Sequence, residues 1–156
     1  MAAGDALVNF YDQIVTLLKD STRGDLNAFT NDLITFCTRP ESGDDYNYPR
    51  IEVLPTEGEI GYDTGAKQGL IMRATILILQ DRPADTFETH TDKTLALAND
   101  VYSELMKNRV VASKWNMLTC SIPKAQDERG TEWIESPDGF SWTIVDVEAR
   151  LTITPT

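Results

Sequence analysis

Between the turn-forming Ser-Pro-Asp-Gly at 136–139 and Thr154, the chain runs from Ser141 to Ile153 without a glycine or a proline. Read as one β-strand, these thirteen residues extend ~44 Å. A compact chain of 156 residues has a radius of gyration of ~15 Å and a diameter of about 40 Å. The strand is as long as the molecule is wide, so the sheet that holds it must cross the whole fold.

The apolar residues of that stretch change sides. Trp142 and Ile144 occupy the even positions, which continue as Asp146, Glu148 and Arg150. The odd positions begin with Ser141 and Thr143 and continue as Val145, Val147, Ala149, Leu151 and Ile153. A side-chain period of two keeps each parity on one face, so a switch at Ile144 and Val145 needs a cause. Either a bulge reverses the parity there, or the strand leaves one apolar surface for a second, on another element or another subunit. The first reading is a strand wholly inside a monomer, whereas the strand's length points toward assembly.

The rest of the chain supplies partners for this strand. Asp5 to Lys19 places Leu7, Phe10, Tyr11, Ile14, Leu17 and Leu18 at helical spacing, with Asp5 available as N-cap. LNAFTNDLITFC, 26–37, reads as a weak helix or an irregular segment, and PESGDDYNYP, 40–49, as a loop. RIEVL is a short strand stopped by Pro55, and the glycines at 58, 61, 65 and 69 mark a long loop or hairpin arm over about 56–69. In LIMRATILILQD, Leu70, Met72, Ala74, Ile76 and Ile78 share one face, and the other face also turns apolar toward the end, which predicts a strand covered on both sides. DRPADTFETH reads as a loop. A helix follows, with Leu95, Ala98, Tyr102 and Leu105 on one stripe, Thr91 as N-cap and Asn108 as stop. WNMLTCSI alternates as a strand with Leu118, Cys120 and Ile122 facing one way, and TEWIE is a short strand turned by SPDG into the final one. The order predicts an α+β fold, a mostly antiparallel β-sheet with two or three helices packed against it.

Hydrophobic residues form 41% and charged residues 25% of the chain, the proportions of a soluble globular protein, which exclude a collagen-like or wholly disordered chain. A chain of this size buries about two-thirds of its surface and needs one core, so a single domain over 1–156 is expected. No stretch approaches the ~20 apolar residues of a membrane span, and MAAGDALVNF lacks the basic start and apolar run of a signal peptide. Cys37 and Cys120 lie far apart without metal-ligand spacing; two reduced, partly buried thiols are expected, with a disulfide as the alternative. Twenty-five acidic residues against fourteen Lys and Arg give a formal charge of −11. Nucleic-acid binding draws its affinity from counterion release by a basic face, and the sequence has no basic cluster to provide one.

Chemistry is weakly signalled. The glycine spacing of 58–69 lacks the GK[ST] ending of a phosphate loop and leads into a strand. Asp85, Glu88, His90 and Asp92 form the best catalytic or metal-binding constellation. Against it, His90 is the one histidine in the chain, and Glu88 and Asp92 are equally explained as favourable charge near a helix N-terminus. A cysteine nucleophile would need His90 beside Cys37 or Cys120, and Cys120 sits at an apolar-facing strand position. DDYNY and DERGTEWIE lack the alternating ligands of a calcium loop. Trp115, Trp133 and Trp142, without basic companions, read as core or interface anchors rather than a stacking platform.

The opening amphipathic helix, the glycine-rich loop feeding LIMRATILILQD, the helix TLALANDVYSELM and the closing hairpin ending in WTIVDVEARLTIT together resemble the tail terminator and tail-completion proteins of long-tailed bacteriophages. The resemblance covers about Ala6 to the end and is one of element order, without a signature motif. It implies a structural virion protein of the tail or neck, assembled in the host cytoplasm, with no catalysis, cofactor or metal. Such proteins form a ring, typically a hexamer, that caps the tail tube, stops its polymerisation and docks the head-tail connector protein. DNA would pass through an acidic channel without adhering. The candidate contacts with neighbouring copies or with the tail tube protein are then Glu57, Glu59, Tyr62, Asp63 and Lys67 in the loop, Arg73 in the strand after it, and Asp146, Glu148 and Arg150 on the polar side of the last strand. Other head-tail neck or completion adaptors fit the same order of elements.

Overall fold

The carboxyl-terminal stretch is one strand from end to end. In the computed structural model, which describes residues 2–28, 34–36, 50–81, 87–127 and 140–155, strand β6 spans Phe140–Ile153 and β3 spans Gln68–Asp81. The two pair antiparallel from Gln68↔Ile153 to Asp81↔Phe140 with no break in register. On the far side of β3 lies β2, Arg50–Asp63, antiparallel to it, and beyond β2 the short parallel β1, Ile34–Phe36. The other flank of β6 is shared by β4, Met117–Cys120, and β5, Lys124–Asp127. The sheet order is therefore β1-β2-β3-β6-β4 with β5 also against β6. Helices α1, Ala3–Lys19, α2, Gly24–Asn27, and α3, Phe87–Lys107, complete an α+β fold whose sheet is mostly antiparallel.

Helices α1 and α3 pack on one face of this sheet and on each other. The α1 stripe is Ala6, Phe10, Ile14 and Leu18, one residue per turn and all buried, with Tyr11 beside them. The cap is Ala2; Asp5 lies in the first turn instead, where its charge still meets the positive end of the helix. In α3 the buried stripe is Leu97, Ala98, Val101 and Leu105, while Leu95 is exposed and Tyr102 half-buried. Two of the four expected stripe positions, Ala98 and Leu105, are buried, while Leu95 and Tyr102 give way to Leu97 and Val101. The helix also begins earlier than Thr91, taking in residues read as loop. It stops at Asn108 as expected, where Nδ2 donates to the Glu104 carbonyl at 2.8 Å and the backbone N–H to that of Leu105 at 3.0 Å. Trp115 is fully buried, edge-on to Phe10 at 6.0 Å between ring centroids, and its Nε1 donates to the Asn108 carbonyl at 2.9 Å. Segment 23–28 is fastened to α3 by Arg23 on Glu104 at 2.9 Å and by the Leu26 N–H on Asp100 at 3.1 Å. The ambiguous stretch at 26–37 therefore divides into the end of α2 and strand β1, with residues 29–33 and Cys37 outside the description.

The parity problem resolves on β6's neighbours. Thr143, Val145, Val147, Ala149, Leu151 and Ile153 are all buried on the helix face, so odd parity points inward along the whole described length. No bulge interrupts β6 in its pairing with β3. The irregularity lies on the opposite flank, where the partner advances four positions, Cys120 to Lys124, while β6 advances three, Val147 to Ile144. Ile144 falls on the other face beside its partner Leu77, which is 5% exposed; Leu54 of β2, on the same face, is 8% exposed. Leu54 and Leu77 are buried and Ile144 is half-buried within a single copy, so a second apolar patch forms on this face. Strand β3 is accordingly apolar on both sides at this end, as its sequence predicts.

Two corrections bear on function. Strand β2 does not stop at Pro55 but continues to Asp63. Proline lacks an N–H, a loss tolerated at a bulge, and the register with β3 shifts between Pro55 and Glu57. The glycine-rich loop at 56–69 is therefore the hairpin arm, with β2 and β3 joined by Thr64–Lys67 alone. Gly65 holds φ at 79°, a left-handed conformation natural to glycine, and its N–H donates to Asp63 Oδ1 at 2.8 Å. Further along, β4 ends at Cys120, and Ile122 is 79% exposed instead of sharing an apolar face with Leu118. The polar loop at 40–49, the strand at TEWIE, its SPDG turn and Trp133 lie outside the described residues.

Candidate interaction surface

With the helices on one side, the opposite face of the sheet is open toward the hairpin end and, among the described residues, closed near Glu52, Leu54 and Leu77. Cross-strand register sets this open face in rows. Glu57 of β2, Arg73 of β3, Glu148 of β6 and Thr119 of β4 form one row. Glu59, Ile71, Arg150 and Met117 form the next, and Tyr62, Gly69 and Thr152 the third. Leu54, Thr75 and Asp146 lie on the covered side of the first row.

The first two rows are bound through Arg73. Its Nε donates to Glu148 at 3.0 Å, one terminal nitrogen to Glu57 at 2.8 Å and the other to Glu59 at 3.2 Å. Arg150 adds a contact to the second oxygen of Glu148 at 3.3 Å. Thr75 donates to Asp146 at 2.9 Å, and the Asp146 backbone exchanges hydrogen bonds with Ser121 at 2.8 and 2.9 Å. Arg73 holds the Glu148 carboxyl below the usual carboxylate range, and Glu148 in turn raises Arg73. Four carboxylates face two guanidinium groups, so the surface remains acidic.

The third row is an aromatic clasp. The Tyr62 ring lies directly over Gly69, where a Cβ would stand 2.1 Å from ring carbon Cε1. The ring thereby crosses β3, and its hydroxyl meets Thr152 Oγ1 of β6 at 3.0 Å. Only a glycine at 69 leaves room for this path.

Of the nine residues expected at an interface, the structure brings seven together on this face: Glu57, Glu59, Tyr62, Arg73, Asp146, Glu148 and Arg150. Asp63 and Lys67 sit at the hairpin tip. There Asp63 accepts from Gln68 at 2.9 Å and from Gly65, bonds that lower its pKa, and the Lys67 N–H donates to Thr64. Simple alternation from Leu54 would have turned Glu57 and Glu59 toward the helices. The extra residue at Thr56 swings them outward, and a second shift between Ile60 and Tyr62 does the same for Tyr62. The sequence reading missed Thr75, Thr119, Ser121 and Thr152. Thr75 and Thr152 are in phase with Arg73 and Arg150 and were legible in principle, whereas Thr119 and Ser121 depend on register between distant strands.

Of the alternative constellation, positions 88, 90 and 92 lie in the first turns of α3. Positions 88 and 92 lie about one turn apart on α3, and position 90 is about 200° around the helix from 88; Asp85 lies outside the described residues. Burial pushes the Cys120 thiol up to about 12, so it offers no thiolate at neutral pH. Among the described residues no three His, Cys, Asp or Glu side chains are grouped to hold a metal ion, and no helix is long and apolar enough to cross a membrane. No protein-family model matches the chain, and no curated protein sequence matches it either.

Proposed function

We propose that this chain is a structural assembly subunit, a tail-terminator-like protein of a long-tailed bacteriophage. In this reading it forms a ring, a hexamer, that caps the tail tube, stops tube polymerisation and offers the docking interface for the head-tail connector. The observation that carries the proposal is the open sheet face. Seven residues from three long strands converge there into an ion-paired, acidic surface beside the β2–β3 hairpin. Such a surface is suited to partner contact, since interfaces use complementary charge for register and orientation. Its acidity suits a channel that passes DNA without binding it. The element order resembling tail terminators supplies the identity of the particle, and the same order supports a head-completion or neck adaptor as the second reading.

The test is to add the purified chain to growing tail tubes and to follow tube length and end structure by negative-stain imaging, with light scattering on the chain alone. Annular particles and arrested tubes are expected of a terminator. Rings that bind connectors without arresting tubes favour the neck adaptor. A chain that stays monomeric, leaves tube growth unchanged and binds neither partner refutes both.

A further inference from the structure

Among the described residues, strand β2 has a free edge beyond Val53. Its pairing with β1 ends at Val53, and from Leu54 to Asp63 no described strand lies beside it. Residues 56–63 are exposed, among them Gly58 and Gly61, so the backbone itself is accessible. Between the two register shifts, Glu57 to Ile60 keep regular pairing with β3 and extend its ladder to the edge. An extended strand added there would find backbone donors and acceptors already aligned.

The side chains along this edge define what that strand must carry. On the open face stand Glu57 and Glu59, 60% and 51% exposed, each bonded to Arg73 through Oε1 and leaving Oε2 to solvent. On the helix face stand Gly58 and Ile60, and Ile60 is 52% exposed. Next to them is a mostly apolar groove of about 210 Å³, lined by Ala3, Leu7, Gly58, Ile60, Leu70 and Met72. Successive residues of a strand point to opposite faces. The complementary strand therefore alternates cationic residues, set against Glu57 and Glu59, with apolar residues over Ile60 and the groove.

We infer that the Glu57–Ile60 edge of β2 is a docking site for a β-strand of another protein in which Lys or Arg alternates with aliphatic residues. Charge selects against a second copy of this chain. Two β2 edges laid together would place Glu57 and Glu59 of both copies on one face, and like charges directly opposite oppose pairing. The outer edge of β4, where the Leu118 N–H already donates to the Arg109 carbonyl at 2.8 Å, carries Met-Leu-Thr-Cys at 117–120 and offers no cation. Pro55 and the flanking bulges, which blunt an edge against indiscriminate pairing, confine docking to this short stretch. The inference holds whether or not the chain forms rings.

The experiment titrates the isotope-labelled full chain with a hexapeptide of alternating lysine and valine. Controls are its glutamate-valine counterpart and two versions of the basic peptide, each N-methylated at alternate backbone amides. Amide shifts at Glu57–Ile60 with the basic peptide, none with the acidic one, and loss of binding on N-methylation in one register are expected. The double substitution Glu57→Lys, Glu59→Lys should weaken the basic peptide about tenfold, the effect of two exposed ion pairs, and turn preference to the acidic peptide. The proposal is overturned if both peptides bind alike, if shifts fall on β4, or if both N-methylated peptides bind like the parent. It is also overturned if dilution shifts show that a second copy of the chain occupies the edge.

Discussion

Replacing Gly69 by alanine isolates the clasp between Tyr62 and Thr152. An alanine Cβ would lie 2.1 Å from Tyr62 Cε1 and 2.8 Å from Cζ, distances that no packed carbons sustain. Tyr62 is 49% exposed, so its ring has room to swing into solvent, and the cost is limited to what the ring gains where it lies. That gain is one hydroxyl contact, about 1 kcal/mol, and the packing of an aromatic ring across the strand, roughly 0.5–1 kcal/mol at this exposure. The expected destabilisation is ~1–2 kcal/mol, which lowers Tm by about 2–8 °C in a chain of this size. The decisive measurement is a double-mutant cycle by urea denaturation of the parent, Gly69→Ala, Tyr62→Ala and the double variant. In the Tyr62→Ala background the clash is gone and the strand gains a β-carbon, so Gly69→Ala should be neutral or stabilising by up to about 1 kcal/mol. Equal cost in both backgrounds would show that the glycine serves something other than the ring.

Arg73 holds the Glu148 carboxyl below its ordinary range, so the linked stability is present at neutral pH and lost as pH falls from the unfolded-state value of about 4.3 through the lowered folded one. Arg73→Met should raise the Glu148 titration, seen in its carboxyl carbon resonance, and flatten the acid-side loss of stability; an unchanged titration would refute the pairing. In a Cys37→Ser chain, Cys120 should alkylate at pH 8 at least roughly tenfold more slowly when folded than in denaturant. Trp115→Ala should cost about 3–5 kcal/mol in urea denaturation, as a fully buried indole is lost. Deleting Glu57–Gln68, harmless if the segment were a loop, should lower Tm, because it strips Glu57–Asp63 of β2 from its pairing with β3.

What the sequence disclosed depended on whether a local period decided it. The α1 stripe, the two-sided apolarity of β3 near Leu77 and the unbroken run of β6 all follow from alternation within one segment, and they stand. The β2 arm was hidden because Pro55 and four glycines carry turn propensity, which the pairing with β3 overrides. The convergence of Glu57, Glu59, Arg73 and Glu148 was hidden for another reason. Residues that neighbour across strands share no spacing along the chain, and the bulge at Thr56 inverts the phase that alternation would assign. The side change in β6 was visible, but its cause was not: the second apolar patch needs Leu77, which only register places opposite Ile144, with Leu54 on the same face one strand further on.

The β3–β6 pairing also governs how the chain matures on the ribosome. Even its nearest partners, Asp81 and Phe140, are separated by fifty-nine residues, which take about 3–12 s to synthesise at ordinary rates. Throughout that interval β3 can zip to β2 on one flank while its other flank stands vacant. A nascent polypeptide in this condition exposes a sticky fourteen-residue margin, so its yield in the cell is set by how well that margin is shielded until Phe140–Ile153 clears the exit tunnel.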